Sequence, residues 1–309
     1  MFSTIQVDLD SLWTYQRYWD KQMPMHCCDP VYSQGIERFL DLFAKYEIKA
    51  TFFVIGQDAQ NPEQIKQIKN IIAQGHEIAN HSMSHLLNFS CLSPELLKQE
   101  ILSAHNLLKS IADKYPVGFR APTFSINESV MILLEELGYK YDASIMPSPI
   151  FPWLMKTAHS VLNLKLVKLN SGNICFGKAP RSIYAPNKLN IAQPGTMKIK
   201  EVPVSVSGFS RFPMHSTYVF TLGRFLFDSG LDFCLKNKLN MHYLFHGIDL
   251  LDLEQYKIKL PGFKTLAKRQ SSCEYIVKKL IEHSQVMTTE HLVEIGEGNN
   301  DLHPAAGFK

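Results

Sequence analysis

The chain has 309 residues, 45% hydrophobic and 20% charged, a composition that excludes disorder and low complexity and suffices for one large barrel-type domain or two medium ones. Its formal charge of +3, spread over scattered lysines and arginines, excludes a nucleic-acid partner and leaves only a weak attraction to anionic membrane surfaces. Six cysteines without a CxxC pair point to reduced thiols, and an acidic "MFSTIQVDLDSLW" start with no long apolar window predicts a cytoplasmic protein that spans no membrane.

In chain order, "STIQVDLD" reads as a strand and "SQGIERFLDLFAKYEI" as a helix, with Ile36, Phe39, Leu40 and Phe43 on one face. "KATFFVIG" is the near-continuous apolar run of a parallel strand buried on both sides. A helix around 62–74 and the strand "HEIAN" follow. Ser93 and Pro94 start a helix through "ELLKQEILSAHNLLKSI". "VGFRAP" is a strand cut off by Pro122, "NESVMILLEELG" a capped helix closed by Gly138, and "YKYDASI" the next strand. Residues 147–198 read as loops rich in proline, aromatics and lysine, and mark an insertion. The pattern resumes with the strand "KIKEVPVSV", a helix within 217–238, the strand "MHYLFHGI", a helix around 264–283 and a strand near "QVM". This βα alternation predicts a single α/β domain over 1–309, a parallel sheet or barrel interrupted by that insertion.

Such folds assemble their sites at the carboxyl ends of strands, and there the sequence concentrates its polar residues. Asp8 and Asp10 close the first strand, His81 and His85 follow the third, and Arg120, Asp142 and His246 end later ones. A spacing of four brings His81 and His85 to one face of a helical turn, and a spacing of two points both carboxylates to one side of a strand, where they want a cation. One carboxylate and two histidines form the ligand set of a divalent catalytic metal with open positions; the other carboxylate, Arg120 and His246 are left for acid–base work. His76 is expected to pack, and His242, which shares a strand face with His246, to be spare.

The succession Asp8-Leu9-Asp10, Thr51-Phe52-Phe53 with Gly56, His81-Ser82-Met83-Ser84-His85, Arg120-Ala121-Pro122-Thr123-Phe124 and Met241 to His246 resembles the polysaccharide deacetylase family, of the NodB-homology, carbohydrate esterase 4 type. The resemblance implies a distorted (β/α) barrel with fewer than eight units, and metal-dependent hydrolysis of an acylated sugar. It implies that Asp10, His81 and His85 hold the metal, most often zinc, that Asp8 is the general base aimed by Arg120, and that His246 is the general acid. Asp142 or Asp249 would orient His246, and Pro122, Phe124 and Trp153 would lie on the substrate side. Leu9 separates two aspartates that are adjacent in the typical motif. A looser similarity, through the spaced aspartates, "EVPVSV" and the final histidine motif, points to the branch that deacetylates or deformylates amino sugars on a polyprenyl phosphate, with a peripheral membrane contact at the inner face. A hydrolase of a small cyclic amide or ureide and a catalytically silent carbohydrate-binding module are the two alternatives.

Overall fold

The computed structural model describes residues 1–16, 28–155, 174–258, 260 and 263–300; Cys27 and the 156–173 part of the expected insertion lie outside them. Strand β1 (Phe2–Asp8) is central. It pairs in parallel with β9 (Met241–His246) along one edge, and shares its other edge between β10 (Gln285–Met287) and β2 (Thr51–Val54). From β2 the parallel order runs through β3 (Glu77–Asn80), β4 (Gly118–Phe119) and β5 (Tyr141–Asp142) to β8 (Lys200–Glu201). Past β8 the Ser205 amide donates to the His242 carbonyl (3.1 Å), which curls the sheet back toward β9. The expected distorted barrel is the fold observed.

Alternation along β1 sorts its side chains. Ile5 and Val7 join Phe39, Leu40 and Phe43 of helix α2 (Glu37–Lys45), which comes after the short α1 (Leu12–Gln16), in the largest apolar cluster. Thr4, Gln6 and Asp8 face the barrel interior, where buried polar groups satisfy one another: Thr4 meets His242 Nδ1 (2.9 Å), and Glu77 accepts from Thr51 (2.7 Å) and Tyr141 (2.6 Å). His76 packs as expected, edge-on to Phe52 and near Phe43, with Nδ1 accepting the Ala50 amide. The other crossover helices stand where the sequence puts them. These are α3 (Pro62–Ala73), α4 (Pro94–Ala112) capped by Ser93, and α5 (Glu128–Glu136) capped by Asn127.

Three local readings change. The expected long strands around 120, 142 and 202 are two residues each, because the chain bends away at the barrel mouth. The 147–198 segment is not wholly loop: β6 (Pro186–Asn187) and β7 (Asn190–Pro194) form a hairpin whose Ile191 and Ala192 pack with Val130 and Leu134 of α5. The helix expected within 217–238 is two, α6 (Ser216–Leu222) and α7 (Phe225–Lys236), broken at Gly223, whose φ of 108° suits only glycine. Helices α8 (Leu266–His283) and α9 (Thr289–Asn300) follow. Cys234 and Cys273 are buried thiols in no disulfide.

Candidate active site

The carboxyl ends of β1, β2, β3 and β4 and their continuations form one hydrogen-bonded edge: Leu9 N to Phe53 O, His81 N to Val54 O, and Arg120 N to Asn80 O, each at 3.0 Å. Asp8 and His246 are register partners at the ends of β1 and β9. Asp8, Asp10, His81, Arg120 and His246 are thereby gathered at one mouth although they span most of the chain.

The 81–85 segment is not a helical turn. Ser82 and His85 both adopt left-handed backbone (φ 62° and 47°), and the loop is held by Asn80 Oδ1 accepting from Ser82 N and Ser82 Oγ accepting from His85 N. Gly56 lets this loop pass so closely that a Cβ there would lie 2.5 Å from Met83 Sδ. The outcome matches the expectation by another route: the His81 and His85 rings stand 5.1 Å apart, and the Nε2 of each lies 3.4 Å from Asp10 Oδ1.

The donor set fits a divalent cation. One ligand atom from each of Asp10, His81 and His85 lies within 4.8 Å of the others. His81 Nδ1 meets the Arg120 carbonyl at 2.8 Å; a carbonyl only accepts, so Nδ1 carries a proton and Nε2 is the ring atom that faces Asp10. Asp10 Oδ1 is buried without a hydrogen-bond donor of its own. Against the upward push of burial, His85 and then His81 and His246 hold the Asp10 carboxyl far below the usual range, so the carboxylate is ready to ligate.

Arg120 is fully buried. Its Nη1 donates to Asp8 Oδ1 (2.6 Å), its Nη2 to Gln6 Oε1 and its Nε to the Ala143 carbonyl (2.8 Å), while its guanidinium carbon sits 4.2 Å from the Phe53 ring centre. All three nitrogens of the planar fork donate, which fixes Asp8 at the end of β1.

Asp142 does not reach His246. Its oxygens accept from the Ser144 amide (3.0 Å) and hydroxyl (2.6 Å), and that hydroxyl accepts from Ala121 N, so Asp142 buttresses the turn that carries Arg120. The acid tied to His246 is Asp249, which accepts its backbone amide (2.8 Å) and lies fully buried. Burial raises the Asp249 carboxyl, with the His246 charge opposing. Phe124 is 5.7 Å from the Arg120 guanidinium and edge-on to Phe151, and Pro122 is buried in the same turn. Trp153 is 63% exposed, whereas Phe151, two residues earlier, is buried.

Several supporting residues escaped the sequence. Asp58 accepts from Ser11 Oγ and Trp13 Nε1 (2.7 Å each) and Asp29 accepts from Leu12 N (2.9 Å), anchoring the turn just after Asp10; burial raises their carboxyls to about 7 and about 6. His215 stands 5.8 Å from His246, and burial, then the charges of His246 and Arg120, push its pKa well below the ordinary value. Arg269 donates to the carbonyls of Ile248, Asp249 and Leu251, clamping the turn that follows His246. The adjacent glycine and Asp249 in "HGIDL" were the only signal for that turn.

Residues 20–141 match the family model for polysaccharide deacetylases, across the segment that carries His81, His85 and Arg120. Over that segment the chain is similar to the polysaccharide deacetylase family. It is 34% identical over 147 residues to a Bacillus cereus peptidoglycan-N-acetylglucosamine deacetylase, a match covering 47% of this chain and 65% of that protein. It spans less than two thirds of the length of the curated relatives it matches. By fold it resembles a candidate polysaccharide deacetylase from Mycobacterium smegmatis (17% identity, TM-score 0.62, covering 100% of this chain and 93% of that one). It also resembles an allantoinase (14% identity, TM-score 0.57, covering 99% and 92%).

Proposed function

We propose that the chain is a metal-dependent hydrolase that removes an N-acyl group, acetyl or formyl, from an amino sugar. The observation that carries this reading is the Arg120-held carboxylate of Asp8 beside the Asp10, His81 and His85 triad, with His246 at the same mouth. The kinship with a peptidoglycan-N-acetylglucosamine deacetylase supports the acylated sugar. Two imidazoles and one carboxylate with open positions suit zinc, which when bound supplies Lewis acidity toward the acyl carbonyl and water.

This chain's own residues do the rest. Asp8 takes a proton from water as the water oxygen bonds to the acyl carbon, and Arg120 keeps Asp8 aimed. His246 delivers a proton to the amide nitrogen as the carbon–nitrogen bond breaks, because an unprotonated amine is too basic to leave. The products are a carboxylate and a free amino sugar. Buried, neutral His215 beside His246 adds no competing charge to that proton.

We assign the substrate to an intracellular glycan precursor, with a polyprenyl-phosphate-linked sugar as the specific choice, met by peripheral contact at the inner membrane face. Exposed Trp153 supports a contact of that kind, and no helix among the described residues is long and apolar enough to cross a membrane. The test is a panel of N-acetyl and N-formyl sugars, free and lipid-linked, assayed with zinc for loss of one acyl mass. Release from none of them, with turnover of a cyclic ureide instead, would replace this reading by the small-amide hydrolase; zinc binding with no turnover at all would leave a binding module.

A further inference from the structure

One cationic pocket lies outside the site described above. It opens between the break that separates α6 from α7 and the first turns of α8, holds about 370 Å³, and is lined by Val219, Gly223, Arg224, Lys264, Lys268 and Ser271 with Ser272. Three cations and two hydroxyls face it, and no carboxylate lines it. None of the three cations forms a salt bridge among the described residues. The nearest acid on the same helix, Asp228, is occupied by the Tyr275 hydroxyl (2.7 Å).

Charges of one sign brought together without counter-ions repel, and a pocket that holds them so suits an anion. Arg224 is the ordered member. Its Nη2 donates to Ser271 Oγ (2.7 Å) and its guanidinium carbon lies 4.8 Å from the Tyr275 ring centre, which sets the fork in place while leaving its remaining donors to the pocket. Gly223 puts the rim at the Arg224 backbone without a side chain in the way. Beside that rim Leu222 and Phe225 are 47% and 67% exposed, an apolar shoulder next to the cations.

The geometry points to a second binding site on this chain, for a phosphate group, and the shoulder favours a phosphate carried on an apolar alcohol over the free ion. Its position relative to the acid–base machinery follows from Arg269. That residue, one turn into α8, is buried and donates to the Lys264 carbonyl and to the carbonyls of Ile248, Asp249 and Leu251, so the pocket wall and the turn after His246 share one clamp. The phosphate site stands on its own residues and does not depend on the deacylase reading.

Calorimetric titration of the full chain with inorganic phosphate and with octyl phosphate below its micellar concentration tests it, alongside sedimentation with phosphatidylcholine vesicles with and without phosphatidylglycerol. The double variant R224E/K268E should weaken binding by about tenfold or more, as two lost charge-assisted contacts require, and the milder R224Q by less, with thermal unfolding and turnover of a soluble N-acyl sugar unchanged. Loss of the soluble ligands' binding alone identifies a soluble phosphate ester, and loss of sedimentation with phosphatidylglycerol identifies a lipid headgroup. Absence of saturable binding by every probe, or equal binding by wild type and both variants, overturns the site. Failure here leaves the deacylase reading untouched, and a chain inactive on every acyl sugar can still bind phosphate.

Discussion

Removing Arg120 should expose how much of the site's order is electrostatic. Arg120→Met preserves bulk but strips three hydrogen bonds, to Asp8, Gln6 and the Ala143 carbonyl, at a side chain with no solvent exposure. Breaking one partner of a buried ion pair costs roughly 3–5 kcal/mol, chiefly because the other charge is left uncompensated. Against a typical domain stability of about 5–15 kcal/mol, that is a large fraction but not a certain loss of the fold. If the uncompensated Asp8 charge is the main cost, replacing it by a neutral isostere should recover part of it. The double variant Asp8→Asn/Arg120→Met is expected to regain ~1–3 kcal/mol over Arg120→Met alone. The measurement is urea unfolding at pH 7 in the presence of a chelator, so that metal binding to the native state adds nothing. A loss below ~1 kcal/mol for the single variant, or no recovery in the double, would falsify the view that Arg120 exists to hold Asp8.

Other expectations are as direct. His81→Ala or His85→Ala should abolish tight zinc retention, read by elemental analysis after dialysis, whereas His76→Ala should retain it, since His76 packs against Phe43 and Phe52 away from the triad. His246→Ala should slow amide substrates far more than activated esters, whose leaving groups need no proton; equal losses on both would remove His246 from the general-acid role. His242, fully buried against Thr4, has its pKa pushed down from 6.5 to about 4 by burial and then by Arg120. The unfolded chain therefore binds more protons between those values, so the histidine's contribution is present above pH 6.5 and is lost as pH falls toward 4. The stability advantage of wild type over His242→Gln should shrink by about 3 kcal/mol between pH 7 and pH 4; a pH-independent gap would mean that His242 is not held neutral.

The sequence makes the barrel legible because its signals are local. The apolar face of α2, the caps at Ser93 and Asn127 and the continuous run of β2 each state their element within a few residues. The 186–194 hairpin is not so stated: Asn187 and Asn190 read equally well as loop, and only packing of Ile191 and Ala192 onto α5 makes it a strand pair. The break at Gly223 is hidden for the converse reason, since one glycine inside an apolar helical pattern is tolerated unless its φ is positive.

The site divides along the same line. The groups proposed to react are visible because they terminate strands, a position that no core demands of a charged residue. The groups that aim them are contributed from afar, and their partners are backbone atoms, which leave no pattern in a sequence. Asp249 binds the His246 amide and Arg269 binds three carbonyls of the same turn, while Asp142, which the resemblance offered as an acid to orient His246, spends both oxygens on Ser144. A charged residue at a strand end is thus a strong sign of a site and a poor guide to its role. That role depends on which atoms remain free once the buried hydrogen bonds are satisfied. At Asp142 the serine two residues on takes them; at Asp10 Oδ1 no donor is left to do so, and two imidazole nitrogens stand at 3.4 Å instead, a set of ligand atoms that a shared cation would hold together.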